Sequence, residues 1–154
     1  MKKTAYFLIC FCVVILDQLS KNLILKKVPN SGIFLFRENL KLEVLYNNNL
    51  AFGIHLSKFL MITFILIAIC LIFYLLIDSH RNKQYFSGFV ISLVLAGATS
   101  NLIDRVIHNG VIDYFSITVY NFTWPSFNFA DAIIVIGTIW YIILQFKKTN
   151  EKNI

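Results

Sequence analysis

Acidic side chains are scarce in this sequence, eight in 154 residues, as are glycine, with six, and proline, with two. So little glycine and proline, with no repeat or biased tract, excludes fibrous and low-complexity classes. There are three cysteines, Cys10, Cys12 and Cys70, all inside apolar runs. Their odd count and spacing exclude a disulfide framework or a metal-ligand pattern, and they read as small buried hydrophobes. Charged residues make up 14% against 58% hydrophobic ones, too little polar surface to clothe a globule in water. The formal net charge is +6, but the basic residues lie between and beyond the apolar runs and do not form one patch. Nucleic-acid binding is therefore excluded, and a polytopic membrane protein is expected.

Four apolar runs are long enough to cross a bilayer, at about residues 5–25, 59–77, 86–107 and 130–146. The first begins after Lys2 and Lys3, as a cleaved signal peptide would. It lacks a small-residue cleavage site, however, and is interrupted by Asp17, Gln18, Ser20 and Lys21, so it reads as a retained span. The second carries no charge and should face lipid, whereas the polar stripes of the first and third should face the bundle interior. Four spans put both termini on one side. Lys2, Lys3, Arg81, Lys83, Lys147, Lys148 and Lys152 mark that side as cytoplasmic, and residues 108–129, with no Lys or Arg, fit the outside. The first outer loop, about residues 26–58, departs from the rule with five basic residues. Residues 33–36 and 40–46 within it are rich in strand formers, with Arg37-Glu38-Asn39 as the turn, which predicts a small hairpin or sheet on the outer surface. Asn47-Asn48-Asn49 predicts a turn through the left-handed backbone region that Asn tolerates. The aromatic stretch from Tyr114 to Phe129 reads as an interfacial anchor.

Four acids lie inside the apolar segments or against them: Asp17, Asp104, Asp113 and Asp131. An ionised Asp at a helix centre costs about 3 kcal/mol on insertion scales, which makes such residues functional candidates. Asp17 and Lys21 share a helix face and read as a structural ion pair. Asn101, Asp104 and Arg105 also share a face and read as a support shell. Asp104 could itself serve as the acid, but Arg105 beside it would hold it ionised and engaged. Asp131 sits three residues after Asn128, a good N-cap, so by itself it reads as a helix-start carboxylate. Asp113 has no such account. The two acids fall at the same membrane depth on the ends of consecutive spans. If they meet, they tend to share one proton, leaving one carboxylate able to activate water and one acid able to donate to a carbonyl or a leaving amine. His55, His80 and His108 have no matching nucleophile. A proton-coupled membrane carrier or carrier subunit, using Asp17, Lys21, Asp104 and Arg105 as a relay, is the alternative. A non-catalytic scaffold is a third reading.

The blocks Asp17-Gln18-Leu19-Ser20-Lys21, Asn47 through Ala51-Phe52-Gly53, Asn101-Leu102-Ile103-Asp104-Arg105, Val111-Ile112-Asp113-Tyr114-Phe115 and Phe127-Asn128-Phe129-Ala130-Asp131 occur in order over nearly the whole chain. In that order the chain resembles the lipoprotein signal peptidases, the bacterial type II signal peptidases. The resemblance implies an all-α membrane protein of four transmembrane helices, residues 1–154 forming a single integral membrane protease domain. A small extracytoplasmic β-sheet between helices 1 and 2 would cradle the substrate. It implies an aspartyl endopeptidase of the bacterial cytoplasmic (inner) membrane that acts without metal or cofactor as a monomer. That enzyme cleaves diacylglyceryl-modified prolipoproteins just before the lipid-modified cysteine, meets membrane lipid and is the target of globomycin-type inhibitors. The catalytic pair of the family maps onto Asp113 and Asp131, and its polar support onto Asp17, Lys21, Asn47, Asn101, Asp104, Arg105 and Asn128. Where the family usually carries glycine, this chain has Asn49, Ala96 and Ser100.

Overall fold

The computed structural model describes residues 3–37, 39–49 and 57–152. Lys2, Glu38, His55 and the Ala51-Phe52-Gly53 part of the second block lie outside the described residues. Four helices, α1 (Lys3–Lys27), α2 (Lys58–Arg81), α3 (Tyr85–His108) and α4 (Phe129–Lys152), are long and apolar enough to cross a membrane. At 1.5 Å per residue, 24 residues extend for about 36 Å, enough for a tilted span. Four strands join them: β1 (Ile33–Phe36), β2 (Leu40–Asn47), β3 (Val111–Val119) and β4 (Phe122–Phe127).

The helix ends follow from local chemistry. Ser57 caps α2 by accepting from the Leu60 N–H at 3.4 Å. Asn109 ends α3 with φ of 60°, a left-handed conformation that Asn tolerates. Asn128 and Asp131 open α4 with a reciprocal capping box. The Asn128 side chain accepts from the Asp131 N–H at 2.9 Å, and the Asp131 carboxylate accepts from the Asn128 N–H at 3.1 Å.

The strands form one antiparallel sheet in the order β1-β2-β3-β4. The expected hairpin in the first outer loop is therefore only half of it. The aromatic stretch taken above as an anchor supplies β3 and β4, joined by a two-residue turn with Tyr120 at φ of 54°. Pro125 is tolerated because β4 is an edge strand. β2 and β3 pair Leu45 with Asp113 and Asn47 with Val111, and this register brings Asn47 to the foot of Asp113.

α3 is the centre of the bundle, packed by α1, α2 and α4 and the most buried of the four helices. α2 exposes Phe59, Phe64, Ile67 and Leu71 as a lipid-facing span should. α3 and α4 approach closely at Gly97, where an added Cβ would stand 2.8 Å from the Ala130 carbonyl oxygen. The N-terminal turn of α4 is thereby held against the polar half of α3.

Candidate active site

Lys21 anchors the polar interior. Its ammonium lies 2.6 Å from Asp17 and 2.7 Å from Asp104, and all three side chains are at most 1% exposed. Its third donor reaches Asn101 Oδ1 at 3.1 Å. Two carboxylates on one ammonium leave an excess negative charge, and neutral donors spread it. Asp17 accepts from Ser100 Oγ at 2.6 Å and from the Ala130 N–H, in the first turn of α4, at 2.9 Å. Asp104 accepts from Gln18 Nε2 at 2.7 Å and from the Ile112 N–H at 3.2 Å. One ion triad thus ties α1, α3, α4 and the start of β3 together.

The structure brings Asp113 and Asp131 to one place through three carboxamides. Asn47 Nδ2 donates to Asp113 Oδ2 at 3.0 Å and Asn128 Nδ2 to Asp113 Oδ1 at 2.8 Å. Asn101 Nδ2 donates to Asp131 Oδ1 at 2.7 Å, and Oδ2 of that carboxylate takes the Asn128 N–H. Asn128 also donates to Asn101 Oδ1 at 3.3 Å, which closes the bridge between the two acids.

The orientation of each carboxamide is set by a group that can only donate. The Lys21 ammonium requires Asn101 to turn its oxygen inward, so its NH2 faces Asp131. The Asp131 N–H does the same for Asn128, and the Asn49 N–H, at 3.1 Å from Asn47 Oδ1, does so for Asn47. Among the described residues, each of the four carboxylate oxygens therefore receives one N–H. The carboxamides thus link the two carboxylates into one hydrogen-bonded network.

Asp113 is 2% exposed. Burial pushes its pKa up to about 6; the Asn47 hydrogen bond opposes this, and the charge of Asp131 adds to it. The two carboxylates therefore sense each other. Among the described residues no cluster of His, Cys, Asp or Glu gathers as a metal site would require.

Several placements differ from the sequence reading. Asp104 is held by Lys21 and Gln18 of α1, and its neighbour Arg105 turns away from it. Arg105 is buried, donating to the Asn49 carbonyl at 3.1 Å and resting Nε on Met61 Sδ at 3.4 Å. The Asn47–Asn49 turn is made by the Asn47 side chain, and none of its three residues has a positive φ. Ser100 contributes a hydroxyl to Asp17. Tyr114 is buried, not interfacial. Its hydroxyl lies 3.0 Å from Ser20 Oγ and accepts from the Phe129 N–H at 3.2 Å. The one sequence signal for this role was strand alternation, which sends Tyr114 to the face opposite Asp113.

The family profile of signal peptidase II matches residues 9–147. The chain is 35% identical over 139 residues to a lipoprotein signal peptidase of Thermodesulfovibrio yellowstonii, covering 90% of this chain and 92% of the relative. It is 35% identical over 149 residues to a lipoprotein signal peptidase of Staphylococcus aureus, covering 95% and 90%. Two solved bacterial membrane enzyme structures, obtained by the in meso method, are similar throughout. One has a TM-score of 0.79 at 32% identity, covering 97% of this chain and 92% of the other. The second has a TM-score of 0.74 at 30% identity, covering 94% and 93%.

Proposed function

Because this chain belongs to the signal peptidase II family, we propose that Asp113 and Asp131 are the pair with which it removes signal peptides from prolipoproteins. The observation that carries this reading is the double bridge of Asn101 and Asn128 between two acids of different elements. One carboxylate takes a proton from water, and the resulting hydroxide attacks the scissile carbonyl carbon. The other, protonated, donates to the carbonyl oxygen as it gains charge. When the tetrahedral intermediate collapses, the C–N bond breaks, the proton taken from water passes to the leaving amine, and a hydroxyl of the intermediate returns its proton to the carboxylate that had donated.

The substrate is a diacylglyceryl-modified prolipoprotein, cut just before the lipid-modified cysteine. Asp17, Lys21, Asn47, Asn101, Asp104, Arg105 and Asn128 support the pair or the substrate. Residues 1–154 act as one integral membrane protease domain and as a monomer in the bacterial cytoplasmic membrane, open to globomycin-type inhibitors. Both termini are cytoplasmic, and the pair and the sheet lie near the outer face. The basic residues Arg81, Lys83, Lys147 and Lys148 at the other end of the bundle support this orientation. A carrier would need charged groups spaced across the bilayer, whereas the buried charges Asp17, Lys21, Asp104, Arg105 and Asp113 gather at one end.

Cells relying on Asp113→Asn or Asp131→Asn are expected to accumulate lipid-modified prolipoprotein with its signal peptide attached, while the variants insert normally. Full processing by either variant would remove the pair from the reaction.

A further inference from the structure

The start of α4 has four N–H groups that no carbonyl within the helix can accept from, those of Asn128, Phe129, Ala130 and Asp131. The capping box satisfies the first and the last. The other two reach outside the helix. Ala130 donates to Asp17 of α1 at 2.9 Å, and Phe129 donates to the Tyr114 hydroxyl of β3 at 3.2 Å. Asp17 belongs to the ion triad, but Tyr114 belongs neither to that triad nor to the carboxamide bridge. It is nevertheless 3% exposed, with its hydroxyl engaged on both sides.

Ser20 fixes the direction of that engagement. Its single proton goes to the Asp17 carbonyl at 2.7 Å, so towards Tyr114, 3.0 Å away, it can only accept. The Tyr114 O–H therefore donates to Ser20, and its oxygen is left to accept from the Phe129 N–H. A one-way chain thus runs from α4 through Tyr114 and Ser20 to the backbone of α1. Asp113 and Tyr114 are successive on β3, and they engage the successive residues Asn128 and Phe129. The pairing of β4 with β3 ends at Phe127. Beyond it, among the described residues, these two hydrogen bonds tie the strand of one acid to the helix of the other. Without Tyr114 that tie would rest on Asp113, the group that must exchange its proton.

We propose, on the reading of Asp113 and Asp131 as the reacting pair, that Tyr114 is a positioning residue for cleavage. Its hydroxyl, oriented by Ser20, holds the first turn of α4 against β3 and so sets the distance between Asp131 and Asp113. Side chains alternate along β3, so Tyr114 faces away from the Asp113 side and acts on the rate rather than on substrate binding.

The test uses the full-length protein in detergent with a diacylglyceryl-modified prolipoprotein. Tyr114→Phe keeps the buried ring and removes only the hydroxyl. It should lower kcat about tenfold, the weight of one hydrogen bond, and leave KM unchanged. The charged groups facing Asp113 are Asp131 of α4, Lys21 of α1 and Arg105 of α3. A first turn that drifts away takes the Asp131 charge from Asp113, so the alkaline limb of kcat should move to lower pH. Ser20→Ala should lower kcat by less and add nothing in the Tyr114→Phe background. A wild-type kcat in Tyr114→Phe, or a limb unmoved beside a lowered unfolding temperature, would overturn the proposal and leave Tyr114 a packing residue. Losses that multiply in the double variant would overturn it too, because the two hydroxyls would then act separately. Asp113→Asn, measured alongside, keeps the two readings apart. If it abolishes cleavage while Tyr114→Phe cleaves as wild type, only the role of Tyr114 falls; if it cleaves fully, the pair falls and the role of Tyr114 with it.

Discussion

At the scale of single residues, the proposed chemistry depends on a proton. Asp113 is pushed up to about 6, so it holds its proton below that pH and releases it above. The shared proton is then lost as pH rises, and kcat/KM on a lipid-modified substrate should fall on an alkaline limb that begins near pH 6. The sign is the same for folding, since a carboxyl raised from 3.8 makes the native state less stable as pH climbs from about 4 to about 6. The Asn47 N–H favours ionised Asp113, so Asn47→Ala should move the alkaline limb upward by about one pH unit. A uniform loss of rate with the limb unmoved would give Asn47 a structural role only. That Asp113 and Asp131 stand apart from the paired acids was legible in the sequence, because each is a costly acid without a basic neighbour. Tyr114 was not, because its burial depends on a sheet whose far strands are remote in sequence. Nor was the direction of Arg105, because an i, i+1 neighbour on a helix points away from the acid beside it.

At the scale of elements, the four spans were legible from hydrophobic length, and the start of α4 from Asn128 followed by Asp131. The sheet was half legible. Alternation revealed β2, but β3 is nearly all buried at its start, so its side chains read Val-Ile-Asp-Tyr-Phe without a polar face to mark the period. Helix contacts were not legible, and the one that places the site is at Gly97. An added Cβ there meets the Ala130 carbonyl oxygen at 2.8 Å and the Ile134 side chain. Gly97→Val should therefore separate α3 from α4 and cost ~1–3 kcal/mol of stability. It should also reduce cleavage by shifting Asp131 away from Asn101 and Asp113. Thermal unfolding in detergent beside kcat/KM checks both effects, and an unchanged unfolding temperature would show that the helices absorb the side chain.

At the scale of the whole molecule, the buried ionic network and the sheet gather at one end of an apolar bundle. Arg81, Lys83, Lys147 and Lys148 lie at the other end, and the proposed orientation places them in the cytoplasm. A periplasm-dependent phosphatase inserted at the Tyr120–Asn121 turn should be active, and one fused after the last residue inactive. The reverse pattern would invert the molecule and place the carboxylates at the cytoplasmic face. The central claim is that two carboxylates from separate elements act as one unit, and a double-mutant cycle in kcat/KM on a diacylglyceryl-modified prolipoprotein tests it most directly. Asp113→Asn and Asp131→Asn should each lose ~10³-fold or more, and the double variant no more than the worse single one. Losses that multiply in the double variant, or a single variant that keeps the wild-type rate, would contradict a shared-proton pair.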